Sequence, residues 1–164
     1  MPFTVPRILK RKLNVAVHAI ALRNDFPDSV IEVSSGRLCW TGYIQPTPTS
    51  LRYRIRIEYL AGRSRPKAGV MWPELTLPEG EARLPHVFSG PKDICLHYPG
   101  EWDPSMSIAA TVVPWIAEWL LHYEIWRVTH IWTGGGHEPS TGTKRESDPA
   151  DRSLGPGLPR LSLG

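Results

Sequence analysis

Between residues 73 and 104 the chain carries Pro73, Pro78, Gly80, Pro85, Gly90, Pro91, Pro99, Gly100 and Pro104. Prolines at this density fix φ angles and remove amide donors, so neither a long helix nor a central strand can run through the stretch. Any sheet must be finished before it, and any long helix must lie to one side of it. The stretch is therefore predicted to be a structured loop region. Its one strand-like piece is "DICLHY", residues 93–98, which places Cys95 between Ile94 and Leu96 just after a Gly-Pro turn. Rigid flanks of this kind suit a site that presents a thiol at the surface and holds it in place.

The two sides of this region have distinct periodicities. Over residues 8–22, Leu9, Leu13, Val17 and Ile20 recur at helical spacing, which predicts an amphipathic first helix ended by "NDFPDS". Then come "SVIEVSSGRLCWTGYIQPTPT", "SLRYRIRIEYL" and "KAGVMWPELTL", apolar and β-branched runs punctuated by Ser-Ser-Gly, Pro-Thr-Pro and Gly-Arg-Ser-Arg-Pro. They read as a meandering antiparallel sheet. Arg52, Arg54 and Arg56 alternate with Tyr53, Ile55 and Ile57, which puts the guanidinium groups on one strand face. That face is either simply solvated or a docking surface for an acidic partner. Cys39, beside Leu38 and Trp40, reads as a small buried residue.

After the loop region, Ile108, Val112, Trp115, Ile116, Trp119, Leu120 and Tyr123 recur at three- and four-residue steps, and Pro114 interrupts them. The expectation is two segments, a short one before Pro114 and a longer helix to about residue 129. Trp115, Trp119 and Trp126 form a stripe expected to pack on the sheet. From residue 134 the chain is Gly, Pro, Ser and charge with scattered leucines, too poor in apolar surface to offset its ordering entropy. The organisation expected is an α+β domain over residues 1–133 and a disordered tail over residues 134–164.

Composition narrows the function. With 164 residues and 41% apolar content, the chain can build one core of ordinary size. It has no signal-peptide pattern and no unbroken apolar run of membrane-spanning length, so a soluble, cytoplasmic protein is expected, with Cys39 and Cys95 both reduced. A net charge of +3 and a pI near 9.0 are mild for an obligate nucleic-acid binder. His122, His130 and His137 make no paired ligand motif with either cysteine, so neither metal nor cofactor is expected.

Chemistry then centres on Cys95. In an extended segment His97 falls on the same side and is placed to act as a base, and Lys92 and a helix N-terminus near Ser105 are sources of positive potential. A cysteine hydrolase using His86 or His97 would also need a third orienting group and a substrate cleft, neither of which the sequence announces.

The order "DICL", "EWDPS", "SIAATVV" resembles the active-site stretch of ubiquitin-conjugating enzymes, in which a Gly-x-Ile-Cys-Leu is followed by Trp-x-Pro and an apolar helix. The resemblance implies a ubiquitin-conjugating-type fold over most of the chain before residue 130, with Cys95 as thioester acceptor and Trp102 packed beneath its loop. That family carries His-Pro-Asn upstream of the cysteine, the asparagine serving the oxyanion. Here "LPHVFSG" supplies His86 at nearly the family interval and no asparagine, Asn14 and Asn24 being far upstream. Loop amides, Ser89 or His97 would have to take over. More closely, "ICLHYPGEWDPSM", "IAATVVPWIAEWLLHYEIW" and "GGGH" look like the short prokaryotic E2-like proteins of type II CBASS antiphage operons. This resemblance implies a partner, a cGAS-like nucleotidyltransferase whose C-terminal glycine is accepted on Cys95 and then conjugated. The alternative is a non-catalytic scaffold or interaction protein of the same fold.

Overall fold

The computed structural model describes residues 11–63 and 65–135. The start of the predicted first helix, residues 8–10, and all of the predicted tail beyond residue 135 lie outside them. Helix α1 spans Val15–Asp25, strands β1 to β4 span Val30–Ser34, Arg37–Ile44, Tyr53–Leu60 and Lys67–Trp72, and helix α2 spans Val113–Thr129. The strands pair antiparallel in the order β1-β2-β3-β4, the expected meander. The architecture is α+β as expected, with one helix before the sheet in the chain and one after it.

Helix α1 begins later than its apolar spacing suggested. Asn14 caps it, its side-chain oxygen accepting the Val17 N–H at 2.9 Å. Its buried side is Val15, His18 and Leu22, at steps of three and four, whereas Val17 is 42% and Ile20 60% exposed. The helix turns a histidine inward because distant partners receive it. The His18 ring meets Tyr59 of β3 edge-on at 5.3 Å, and its Nδ1 accepts the Ile108 N–H at 3.4 Å. Trp102, 3% exposed, packs edge-on against the same Tyr59 at 5.4 Å.

The alternation read in β3 holds. Tyr53, Ile55, Ile57 and Tyr59 are buried while Arg54 and Arg56 are exposed, with Arg56 paired to Glu58 at 2.8 Å. Cys39, 8% exposed, lies opposite Glu32 and Glu58 in the neighbouring strands. The long helix obeys Pro114. A π-helical turn, Ile108–Val112, precedes it and closes with the Val113 N–H on the Ile108 carbonyl, and α2 then carries the proline in its first turn, where no amide is needed. Ile116, Leu120, Tyr123 and Trp126 of α2 are buried, and Glu124 accepts from the Tyr53 hydroxyl at 2.9 Å.

The loop region docks on the free edge of β4. The Val70 N–H reaches the Pro91 carbonyl at 2.8 Å and the Ile94 N–H reaches Ala68 at 2.9 Å. This approach depends on Gly69, where an added Cβ would lie 2.6 Å from the Lys92 carbonyl oxygen. Residues 86–95 fold back as a tight hairpin, with the Phe88 N–H on Asp93 and the Cys95 N–H on His86, both at 2.8 Å.

Candidate active site

Cys95 therefore sits where a hairpin anchored on β4 turns toward α2. It is 4% exposed, not presented at the surface as the sequence suggested, and it lies in the floor of a cleft of about 430 Å³. One wall is its own loop, with His97, Tyr98 and Glu101. The other is a face of α2, where Trp115, Glu118, Trp119 and His122 are spaced at steps of three, one and three. Trp132 and Gly135, just beyond α2, close the end.

The thiol donates to the His97 carbonyl across 3.8 Å. Burial pushes its pKa up, the Arg65 guanidinium pulling partly back and Asp93 adding to the rise. The resting group is a protonated thiol. Lys92, expected to help ionise it, lines a different groove with Arg56, Glu58 and Lys67 on the outer face of the sheet. The cation that does act, Arg65, holds Asp93 through two 3.0 Å contacts and lies over the Phe88 ring at 4.0 Å. The start of the π-helical turn is not free to polarise the sulfur either, because Ser107 takes the Ala110 N–H and His18 the Ile108 N–H.

The two sequence-predicted histidines occupy different places. His97 lines the Cys95 cleft with its ring 5.3 Å from Trp115, but through a bend and not the period of a strand, for Leu96 and Tyr98 line the same cleft. Its Nδ1 lies 2.8 Å from the Tyr98 carbonyl, which can only accept, so Nδ1 carries the proton and Nε2 is the basic nitrogen. His86 has a left-handed φ of 49° and works through its backbone. Its carbonyl accepts from the Cys95 N–H and, at 3.1 Å, from the Trp119 indole. Its ring stacks on Trp132 at 4.8 Å and lines a neighbouring groove that also contains Ser89, so Ser89 lies outside the Cys95 cleft. Of the tryptophan stripe, Trp126 is core, Trp119 is buried yet reaches the cleft, and half-buried Trp115 forms its wall.

Sequence reasoning missed His122 and Glu118 as residues of the cleft that Cys95 lines. Their signal was present, since 115, 118, 119 and 122 share one helix face, but nothing local says that this face meets the cysteine loop. Among the described residues no three His, Cys, Asp or Glu side chains are grouped so as to hold a metal ion, and no helix is long and apolar enough to cross a membrane.

Comparison with curated proteins returns no match. A family model described as "Type II CBASS E2 protein" matches residues 18–139, which takes in α1 from His18 onward, the whole sheet, the cysteine loop and α2. The expected family and fold are thus both found, and the chain belongs to the E2 proteins of type II CBASS antiphage defence.

Proposed function

We propose that this protein is an acyltransferase that accepts on Cys95 the C-terminal glycine of a cGAS-like nucleotidyltransferase and passes it to an acceptor. The observation that carries this reading is that Cys95, although 4% exposed, is among the residues that line a cleft. A thiol only 4% exposed is reached most easily by an extended chain end, and a terminal glycine, with no Cβ, meets the least obstruction there. In the first half-reaction Sγ adds to the carbonyl carbon of an activated glycyl group, forming the C–S bond and expelling the activating group, which leaves with its electron pair. The thiol's proton passes to His97 Nε2 and on to solvent or to the leaving group. His86 positions the nucleophile through its carbonyl, and the oxyanion is assigned to amides of the cysteine loop, since no asparagine follows His86.

The test is capture of the reducible adduct. Wild-type protein mixed with the activated partner should give a species sensitive to thiol reductant on a non-reducing gel, and Cys39→Ala should give as much. Cys95→Ala should give none, and an adduct surviving that change would end the proposal. One observation favours the scaffold reading, the raised pKa of the buried Cys95. Under that reading wild-type protein forms no adduct while still binding the partner.

A further inference from the structure

The cleft holds a second histidine, on the wall opposite His97, and this one is built in. His122 stands on α2 near the surface, yet its side chain is only 19% exposed. After α2 the chain reverses at His130, a left-handed cap with φ 60°, and returns along the helix. On that return Thr133 Oγ1 comes within 2.8 Å of His122 Nδ1, and the Trp132 ring lies 5.8 Å from the imidazole. Gly134 leaves the room, for a Cβ there would stand 2.7 Å from the His122 ring. One helical turn back, Glu118 Oε1 lies 3.8 Å from Nε2. From the loop wall, Cys95, His97, Tyr98 and Glu101 face the same cleft.

A thioester relay has two half-reactions, and each must move a proton. His97 is on the loop that carries the sulfur. His122 is on the wall toward which an acceptor entering over α2 would come. Resting on the transferase reading above, we propose that His122, paired with Glu118, is the base that activates the acceptor amine. The step uses the tautomer in which Nδ1–H donates to the Thr133 hydroxyl oxygen and Nε2 is the basic nitrogen. A neutral primary amine attacks the thioester carbonyl carbon, the C–N bond forms, and Nε2 takes the amine proton, with the Glu118 carboxylate stabilising the imidazolium. The C–S bond breaks, the electron pair leaves on Sγ, and the proton passes from Nε2 to Sγ. Amide and free thiol are the products, with no other reactant. Glu118 acts through His122 and is a positioning residue.

The experiment loads full-length protein on Cys95 and follows single-turnover discharge to free lysine across pH. His122→Gln should load within about twofold of wild type and discharge at least about tenfold more slowly, the usual lower range for loss of a general base. Its discharge should also lack the histidine-type inflection of the wild-type profile. Glu118→Gln should load within about twofold of wild type and slow discharge less than His122→Gln does, because the imidazolium formed in the step loses its counter-charge. Gly134→Ala, which displaces the ring without removing it, should slow discharge selectively as well. Normal discharge and an unchanged profile in His122→Gln would overturn the proposal. So would an equal fall in loading and discharge, which would mark a structural role. If wild-type Cys95 takes no acyl group at all, the transferase reading itself has failed.

Discussion

Cys39 and Cys95 differ less than their roles imply. Both are almost sealed, at 8% and 4% exposure, and burial raises the pKa of both thiols. Cys39 lies within β2, flanked in register by Glu32 and Glu58, and lines none of the larger clefts described. Cys95 lies at the end of a docked hairpin and forms the floor of a concavity walled by a second element. Neither exposure nor thiol acidity separates them. What does is the space beside the sulfur and the histidines on its rim, which is why a site is argued from its surroundings and not from the nucleophile alone.

Four measurements would break or sharpen this contrast. The largest effect is expected for Trp102→Ala, which removes a buried indole packed against both His18 and Tyr59 and should cost roughly 3–5 kcal/mol in denaturant unfolding. If the folded fraction of that variant still loads Cys95 at the wild-type rate, the indole has no part in placing the loop. Next, alkylation of native protein by a small maleimide should label Cys95 about tenfold or more faster than Cys39, because access then governs the rate. Equal rates, read by mass spectrometry of peptides, would erase the distinction between cleft and sheet.

Gly69→Ala should cost roughly 1–3 kcal/mol by pushing the Lys92 backbone off β4, and should change Cys95 labelling several-fold while leaving Cys39 unaltered. An unchanged Cys95 rate would show that the hairpin does not need that contact to hold its sulfur. The smallest effect concerns pH. Burial lowers the His18 pKa in the folded state, so the unfolded chain binds the proton more readily. The stability held above the ordinary value of 6.5 is therefore lost as pH falls below it toward the folded pKa. His18→Gln should flatten that dependence in thermal unfolding between neutral and mildly acid pH, and a slope equal to the wild type's would assign the acid sensitivity elsewhere. For the two cysteines the sign is opposite, since raised thiol pKa values weaken stability only as pH climbs into the alkaline range.

Much of this was legible in advance for a local reason. The period of two in β3, the break at Pro114 and the proline-rich crossing each declare themselves within a few residues. The side of α1 did not, because the burial of His18 depends on Tyr59 and Trp102, some 41 and 84 residues away in the chain. Lys92 was expected beside the sulfur from its place in the sequence. It faces the other way because the hairpin crosses β4 at Gly69, and Arg65, nearly thirty residues upstream, takes the position near the thiol.

The order of elements and the single cysteine in a rigid crossing follow from the amino-acid sequence alone, since periodicity and proline placement act over short range, and the likeness of its motifs to a known family named the family. Only the tertiary structure decided that the thiol would be recessed and that a face of α2 would rise opposite it. It also decided that a return segment through Thr133 and Gly134 would hold His122 there. Those relations are set by which faces of distant elements pack together, and no local pattern encodes that.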